Sequence, residues 1–269
     1  MKLSIITINR NNASGLSKTI ESVVSQSFAD YEYIVIDGAS NDDSVNVIRQ
    51  YADNISHWVS EPDKGIFNAM NKGIIKATGE YCLFLNSGDW LTDSNVITDF
   101  VNSNLTEDII SGNLIQVYEN NKTTTWIPES KELMNFDCLY DGSLPHQATF
   151  IKTELFTRYG LYNELNKIVS DREFFLKTLV YENCSYNHFD RVISNYDMNG
   201  ISANPQWMEI HDAEVKQLFQ RYLPPLLLES YIRLWDENRR SAPMATEYRN
   251  LKEGKLGFVV KLLLKIKNK

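Results

Sequence analysis

The sequence predicts an α/β protein with a doubly wound, mostly parallel sheet and a helical C-terminal extension. Short apolar runs rich in β-branched residues alternate with segments of helical periodicity from the first residue onward. Four strand–helix alternations precede residue 105, and crossover helices of this kind usually join parallel strands. Each of the four apolar runs ends at polar or acidic residues, and ligands bind at these strand ends in such sheets.

The first half of the chain divides into regular elements by its apolar periodicity. Strands are predicted at 3–8, 31–36, 57–60 and 81–85. A helical pattern follows each of the first three strands, and the clearest helix is predicted at 66–75. Asn41 or Asp42 is predicted to cap the second helix, because short polar side chains accept hydrogen bonds from the free N–H groups of a helix start.

The pattern changes after residue 105. A β-hairpin is predicted from 109–118 and 123–127. Helices are predicted at 129–140, 153–159, 170–180, 206–222 and 225–239, and strands near 148–151 and 186–196. We therefore predict a main domain at 1–205, with halves 1–105 and 106–205, and a helical extension at 206–269.

The composition argues against several classes of protein. The formal net charge is −8, which argues against a nucleic-acid binder because neutralising phosphates requires a basic surface. The three cysteines form no C-x-x-C pair, and their odd number without a signal-like segment predicts a reducing cytoplasm. No apolar stretch reaches the roughly 18 residues of a transmembrane helix.

Polar side chains are expected to meet at one edge of the sheet. The ends of the four strands carry Thr7, Asn9, Asp37, Glu61, Asp63 and Asp89. Such an edge would repel a bare phosphate, because it has several carboxylates and few basic groups. The predicted ligand is therefore a phosphate that binds with a divalent cation between it and the protein.

Asp89 is the predicted metal ligand. It follows an apolar strand directly, and hard cations such as Mg²⁺ prefer carboxylate oxygen. Gly88 permits a sharp turn that would direct this carboxylate to the sheet edge. A simple Asx turn is the alternative for the segment taken alone, but the other acids at the same edge favour the metal.

Three residues after the second and third strands are candidates for nucleotide binding. Asp37 is predicted to accept from a nucleobase N–H or a ribose hydroxyl, since Asn41 or Asp42 already serves as helix cap and leaves Asp37 spare. Asp63 would hold a base or ribose, and Lys64 a phosphate. A capped helix start is the alternative explanation for Asp63 and Lys64.

The second half contributes the candidate general base. Asp171 begins a predicted helix, and Glu173 is a neighbour that would tune it. Charge bias in the first helical turn is the alternative for both residues. His146 precedes a predicted strand, where a buried histidine with satisfied hydrogen bonds is the alternative to a role in the site. The sequence contains no Rossmann, Walker or H-E-x-x-H motif.

From residue 1 to about 200 the sequence resembles glycosyltransferase family 2, whose members are inverting enzymes with the GT-A fold. Residues 5–9 resemble the first-strand segment that packs around the base, and Asp37 matches the second-strand aspartate that binds the base. Residues 60–73, SEPDKGIFNAMNKG, closely resemble a stretch in members that build bacterial surface polysaccharides. His146-Gln147 and residues 199–202 also resemble features of that subgroup, bordering the acceptor and the pyrophosphate.

The resemblance extends to the metal-binding and catalytic motifs. Residues 86–89, NSGD, stand where the family has its metal-binding D-x-D. Ser87 replaces the first aspartate, so the resemblance implies Asp89 as metal ligand, with Ser87 and Gly88 beside the nucleotide. Ser170-Asp171 stands where the family has an acidic pair that ends in the catalytic aspartate. Asp171 is thereby implied as the base and Glu173 as the reserve.

The reaction implied by the resemblance is a single displacement. Asp171 would remove the proton of the acceptor hydroxyl while the oxygen attacks the anomeric carbon. A Mn²⁺ or Mg²⁺ ion on Asp89 would stabilise the leaving diphosphate. The implied donor is a nucleotide-sugar, with UDP favoured, and it would bind to residues 1–105. The implied acceptor is an undecaprenyl-diphosphate-linked saccharide of O-antigen or capsule synthesis, bound by residues 106–205.

The C-terminal segment is predicted to lie on a membrane. Residues 252–269 carry six lysines and one glutamate, a local balance of +5, so the remainder carries −13. At about 100° per residue the apolar side chains of 255–269 fall opposite Lys261 and Lys265. We therefore expect this segment to bind anionic lipid at the inner face of the cell membrane. Packing on the protein's own surface is the alternative.

Two other functions stay open from the residues alone. A sugar nucleotidyltransferase would share the fold class and the metal, but it would need a glycine-rich basic loop after the first strand. Residues 9–12, NRNN, make a poor loop of that kind. A non-catalytic sugar-binding relative would be marked by the loss of Asp89 or Asp171, and both residues are present.

Overall fold

A computed structural model describes residues 3–120, 122–198 and 207–237 of the chain. Its strands are β1 (Leu3–Asn9), β2 (Tyr31–Asp37), β3 (His57–Ser60), β4 (Tyr81–Phe84), β5 (Trp90–Leu91), β6 (Ile109–Val117), β7 (Thr123–Trp126), β8 (Thr149–Lys152) and β9 (Tyr186–Asp197). Its α-helices are α1 (Ala13–Val24), α2 (Ser44–Gln50), α3 (Ile66–Lys76), α4 (Val96–Asn102), α5 (Phe136–Asp141), α6 (Thr153–Tyr159), α7 (Ser170–Phe175) and α8 (Met208–Tyr222). Residues 225–237 are also helical.

The first four strands form the parallel half of one sheet, as the sequence predicts. The strand order is β3–β2–β1–β4–β8–β6–β9–β5, with β7 paired to β6. β1 runs parallel to β2 and β4, and β2 runs parallel to β3. Because these four strands run in the same direction, their carboxyl ends reach one edge of the sheet.

The second half of the sheet has mixed strand directions. β8 runs antiparallel to both β4 and β6. β7 runs antiparallel to β6, which confirms the predicted hairpin. β9 runs parallel to β6, and the short β5 pairs antiparallel with β9 through Trp90 and Asn195. This last pairing brings the residues before β5 to the end of β9.

Helices cover both faces of the sheet, because successive side chains of a strand point to opposite sides. Leu3 and Ile5 of β1 pack in a core with residues of α1, α2 and α4. Ile6 and Ile8 pack in a second core with residues of α3, α6 and α7. The predicted doubly wound arrangement is therefore confirmed.

Two helix starts differ from the sequence prediction. The helix expected from residue 129 begins at Phe136, because the Asn135 side chain accepts from two of the first free N–H groups, at 2.9 and 3.4 Å. In α2 the cap position is occupied by Asp43, whose side chain makes no capping hydrogen bond, while Oδ1 of the predicted Asp42 accepts from the N–H of Ser44 at 3.0 Å.

Other differences concern short or irregular elements. α7 ends at Phe175, and Leu176–Tyr181 continue as a π-helix that ends one residue beyond the helix predicted at 170–180. β5 and α4 have two and seven residues and were not predicted. The two residues of β5 are too few to show a repeat.

The chain divides into two compact units, Met1–Glu214 and Val215–Lys269. The first unit contains the whole sheet, and the second contains the helical residues 225–237. No helix among the described residues is long and apolar enough to cross a bilayer. The predicted boundary at 205/206 and the predicted membrane segment 255–269 lie outside the described residues, so both stay predictions.

The close approach of α3 to β1 gives a test of the fold. A Cβ atom on Gly73 would lie 2.4 Å from Cγ2 of the buried Ile6. Alanine favours a helix over glycine by about 1 kcal/mol, but overpacking of a core costs about 1–3 kcal/mol. We expect Gly73→Ala to lower the melting temperature in a thermal unfolding experiment, while Lys76→Ala on the exposed side of α3 leaves it nearly unchanged. A higher melting temperature for Gly73→Ala would contradict this packing.

Candidate active site

The strand ends of the parallel half lie side by side. In the sheet register Asn9 is opposite Asp37, and Asp37 is opposite Ser60. The segment after β4 joins the same edge, since the N–H of Ser87 donates to the carbonyl of Ile8 at 3.0 Å. The structure thus brings the strand-end residues together at one edge, as the sequence predicts.

Asp37 is completely buried and accepts four hydrogen bonds. Its Oδ1 accepts from the Asn9 amide at 2.7 Å and the Ser40 hydroxyl at 2.5 Å. Its Oδ2 accepts from the Ser40 N–H at 3.0 Å and the Ser60 hydroxyl at 2.6 Å. Burial raises the pKa of Asp37, but these donors outweigh it and lower the pKa overall. Asp37 is therefore not spare, because it fastens three strand ends together, and its contact with a nucleotide stays a prediction.

Two predicted nucleotide contacts on β1 differ in position. Thr7 is completely buried, and its hydroxyl accepts from the Tyr33 hydroxyl at 3.0 Å, so it is a core residue in this structure. Asn9 lies at the strand end beside Asp37. The Oδ1 atom of Asn9 is buried and has no hydrogen-bond partner within the described residues, which is a polar group that a nearby donor would satisfy.

Asp63 and Lys64 reach the same corner of the sheet. A Cβ on Gly38 would lie 2.1 Å from Oδ2 of Asp63, so a larger residue at position 38 would displace the Asp63 carboxylate from the turn after β2. The Asp63 side chain is nearly buried and lies 4.0 Å from the exposed guanidinium of Arg10. Lys64 is exposed. Arg10 is a neighbour of the predicted site that sequence reasoning had not selected.

The segment after β4 is held by α1. Gly88 has a φ of 108°, in the left-handed region that favours glycine. Its N–H donates to the Thr19 hydroxyl at 3.0 Å, and that hydroxyl donates to the Asp89 carbonyl at 2.7 Å. The Asn12 side chain, which caps α1, donates to the Ser87 carbonyl at 2.9 Å. These contacts place the Asp89 carboxylate.

Asp89 is a buried carboxylate with one unsatisfied oxygen. Its side-chain Oδ1 accepts from the N–H of Asp197 at 3.1 Å. Its Oδ2 has no partner with hydrogen-bond geometry among the described residues, and the residue is 3% exposed. Burial raises the pKa of Asp89 to about 7, against the lowering effects of the Asp197 N–H and of nearby His146 and Gln147. A cation would stabilise the ionised form.

Asp197 is a second carboxylate at this position, and sequence reasoning missed it. It ends β9, and a Cβ on Gly88 would lie 3.6 Å from its Oδ2. Lys18 of α1 lies nearby with its ammonium 2.9 Å from the centre of the Trp90 ring. Burial lowers the pKa of Lys18, while the charges of Asp197 and Asp89 act in the opposite direction. The pairing of β5 with β9 is non-local, so only the strand-end position of Asp197 could have indicated it.

The residues present fit one divalent cation that is shared with a ligand. Within the described parts of the chain, no group of three or more His, Cys, Asp or Glu residues could hold a metal ion by itself. Asp89 and Asp197 nevertheless provide carboxylate oxygens, and Mg²⁺ commonly takes one or two carboxylates together with substrate phosphates. The unsatisfied Oδ2 of Asp89 is the atom best suited to this role.

Asp171 and His146 form a hydrogen-bonded pair at the start of α7. Nδ1 of His146 lies 2.9 Å from Oδ2 of Asp171, and the two side chains are 12% and 15% exposed. The other oxygen of Asp171 accepts from the N–H of Arg172 at 2.8 Å. Nε2 of His146 lies 3.2 Å from the Asn86 amide nitrogen. One row of hydrogen bonds therefore joins the predicted base to the segment that carries Asp89.

The neighbours of Asp171 anchor α7. Glu173 is buried and accepts from the amides of Asn163 at 3.0 Å and Asn166 at 2.6 Å. Arg172 is also buried, and its guanidinium donates to two carbonyls of α5. Glu173 therefore holds the preceding loop in this structure, and its role as a reserve base stays a prediction.

Comparison of the sequence with known families gives one match over more than half of the chain. A family model described as glycosyl transferase family 2 matches residues 4–163. An uncharacterized glycosyltransferase of Mycobacterium tuberculosis strain H37Rv is 30% identical over 207 residues, covering 75% of this chain and 77% of its own. A PGL/p-HBAD biosynthesis glycosyltransferase of Mycobacterium bovis strain BCG is 25% identical over 207 residues, covering 75% and 78%.

Solved structures share the fold. Residues 1–349 of TarS from S. aureus, in complex with UDP-GlcNAc, give a TM-score of 0.59 at 19% identity, covering 73% of this chain but only 58% of that one. The mannosyltransferase PcManGT from Pyrobaculum calidifontis, in complex with GDP-Man and Mn²⁺, gives a TM-score of 0.63 at 16% identity, covering 98% and 79%. The fold class predicted from the sequence is confirmed.

The raised pKa of Asp89 predicts how the stability of the protein depends on pH. The pKa of Asp89 rises from 3.8 to about 7 on folding. Between these two pH values the Asp89 carboxyl is ionised in the unfolded chain but still protonated in the folded protein. The free energy of unfolding therefore falls as the pH rises, and the full loss is reached above pH 7. Without metal or nucleotide, Asp89→Asn should therefore raise the melting temperature more at pH 8 than at pH 5, because the destabilisation by the carboxylate grows by about 3 kcal/mol of unfolding free energy between these two pH values.

The control for this experiment is Asp53→Asn, at an exposed aspartate, which should show no such dependence on pH. Mn²⁺ with a nucleoside diphosphate should stabilise the original protein and fail to stabilise Asp89→Asn. An equal melting temperature for Asp89→Asn and the original protein at pH 8 would show that the carboxylate is already compensated.

Proposed function

Because this chain belongs to glycosyltransferase family 2, we propose that it transfers a sugar from a nucleotide-sugar donor to an acceptor hydroxyl with inversion at the anomeric carbon. The observation that carries this proposal is the hydrogen-bonded row Asn86–His146–Asp171. It joins a candidate base to the segment of the unsatisfied Asp89. A displacement reaction needs a base for the acceptor hydroxyl and a site for the leaving group of the donor, held at a fixed separation.

The donor is proposed to bind at the ends of β1 to β4. The TarS structures contain UDP-GlcNAc or UDP, and the PcManGT structure contains GDP-Man, which supports a nucleoside diphosphate as the common part of the donor. We favour UDP. Asn9 and Asp63 would face the nucleoside, while Lys64, Ser87 and Gly88 would lie along the phosphates.

A divalent cation is proposed to bind with the donor. The PcManGT structure contains Mn²⁺, and Asp89 with Asp197 would hold the ion in this chain. A bound cation supplies Lewis-acid stabilisation of the departing diphosphate. Lys18 adds a fixed positive charge beside these carboxylates, because the face of the Trp90 ring holds its ammonium.

Asp171 is proposed to accept the proton of the acceptor hydroxyl. Two hydrogen bonds orient its carboxylate, one to each oxygen. Each oxygen keeps a lone pair for a further hydrogen bond. The attacking oxygen would then reach the anomeric carbon from the side opposite the nucleotide.

The acceptor is proposed to be a lipid-linked saccharide at the inner face of the cell membrane, as in O-antigen or capsule synthesis. The relatives of PGL/p-HBAD biosynthesis support a saccharide-building role in general terms. The basic, apolar segment 255–269 supports the membrane surface, because an acidic protein would otherwise be repelled by anionic lipid.

Replacement of the proposed base tests the reaction. Asp171→Asn is expected to lower kcat by about 10²–10⁴-fold, which is the usual contribution of general-base catalysis. The affinity for UDP with Mn²⁺ should change little, because Asp171 would not contact the nucleotide. The measurements are donor turnover with a panel of UDP- and GDP-sugars and calorimetric UDP binding. Asp53→Asn serves as a surface control. A similar loss of UDP affinity would move Asp171 into the donor site.

Removal of the basic segment tests the membrane proposal. A chain without residues 255–269 should stay folded and should no longer sediment with anionic liposomes. The double variant Lys261→Gln/Lys265→Gln should weaken binding to anionic liposomes without changing the melting temperature, because it removes charge and keeps length. Unfolding of the shortened chain would instead show that this segment packs on the protein.

A further inference from the structure

His146 is held in place by its own backbone, independently of Asp171. It begins the short 3₁₀ turn His146–Ala148, which follows Pro145. The N–H of Ala148 donates to the Pro145 carbonyl at 2.9 Å. The Ser194 hydroxyl of β9 donates to the Gln147 carbonyl at 2.6 Å. The imidazole is therefore carried by a turn that is fixed to the sheet.

The partners of the imidazole determine which nitrogen carries the proton. An ionised carboxylate only accepts hydrogen bonds, so Nδ1 of His146 donates to Oδ2 of Asp171. Nε2 of His146 lies 3.2 Å from the Asn86 amide nitrogen, so with the ring proton on Nδ1 the Asn86 amide donates to Nε2. The hydrogen bonds run in one direction, from Asn86 through His146 to Asp171, which makes each of them compatible with the next.

We propose that His146 is the positioning residue of the base. This inference rests on the proposed function, in which Asp171 accepts the acceptor proton. The imidazole fixes one carboxylate oxygen and leaves the rest of the carboxylate to meet the acceptor. It also sets the distance from the base to the segment of Asp89, since Asn86 lies three residues before Asp89. A base that drifts by about 1 Å loses on the order of 10²-fold in rate.

Two substitutions of His146 separate its two hydrogen bonds. The amide nitrogen of asparagine lies at the position of Nδ1, so His146→Asn keeps the donor to Asp171 and loses the contact with Asn86. The amide nitrogen of glutamine lies at the position of Nε2, so His146→Gln keeps a polar group near Asn86 and loses the donor to Asp171. Both variants are neutral and polar, which makes them matched controls for each other.

The test measures kcat and the donor KM of both variants in the full-length protein. We expect His146→Gln to lose about 10²-fold in kcat, His146→Asn to lose less than tenfold, and the donor KM to stay nearly constant in both. Equal values of kcat for the two variants, or a change confined to the donor KM, would overturn the proposal. Asn86→Leu provides a second test that leaves His146 intact. It should lose less than tenfold in kcat, as His146→Asn does, and a loss as large as that of His146→Gln would overturn the separate roles of the two hydrogen bonds.

Asp171→Asn is measured beside them to keep the two hypotheses distinct. If Asp171→Asn keeps normal turnover, the proposed base is wrong. If Asp171→Asn loses turnover while His146→Gln keeps it, the base stands and only the positioning role of His146 fails.

Discussion

The cost of burying a carboxylate at the end of a strand is the constraint on which this site depends. Asp37 and Asp89 are both almost fully buried, yet their carboxylates differ in the hydrogen-bond donors around them. Asp37 accepts four hydrogen bonds and its pKa falls, whereas Oδ2 of Asp89 has no partner with hydrogen-bond geometry in the described part of the chain, and the pKa of Asp89 rises to about 7. A satisfied carboxylate needs nothing further and joins three strands. A buried carboxylate with an unsatisfied oxygen keeps an uncompensated negative charge when it is ionised, and a cation would stabilise that charge.

Two glycines and helix α1 position the carboxylates at this edge of the sheet. Glycine at 38 lets Asp63 approach the turn after β2, and glycine at 88 gives the backbone the left-handed angle that aims Asp89 inward. α1 then fixes the second turn through Thr19 and Asn12. These contacts with α1 fix the turn at Ser87 and Gly88, and that turn determines where the Asp89 carboxylate lies.

The sequence predicted the parallel half of the fold because its signals are local. Each strand shows its own apolar run, and each strand end shows its own polar residue. What it could not predict depends on contacts between distant segments. Asp197 reaches Asp89 only through the β5–β9 pairing, and the saturation of Asp37 depends on Ser60, 23 positions away. A sequence motif shows which functional group a residue carries, but it does not show whether a distant residue already forms hydrogen bonds with that group.

The start of α7 shows why adjacent acidic residues were hard to assign from sequence. Successive side chains on a helix are rotated by about 100°, so Asp171, Arg172 and Glu173 leave the backbone in three directions. The first meets His146, the second meets the carbonyls of α5, and the third meets the amides of the preceding loop. Two of the three are thus committed to holding the helix in place. The remaining carboxylate is that of Asp171, which is held by the imidazole of His146 and by the N–H of Arg172. A fixed position is the property that a base acting on a single hydroxyl requires.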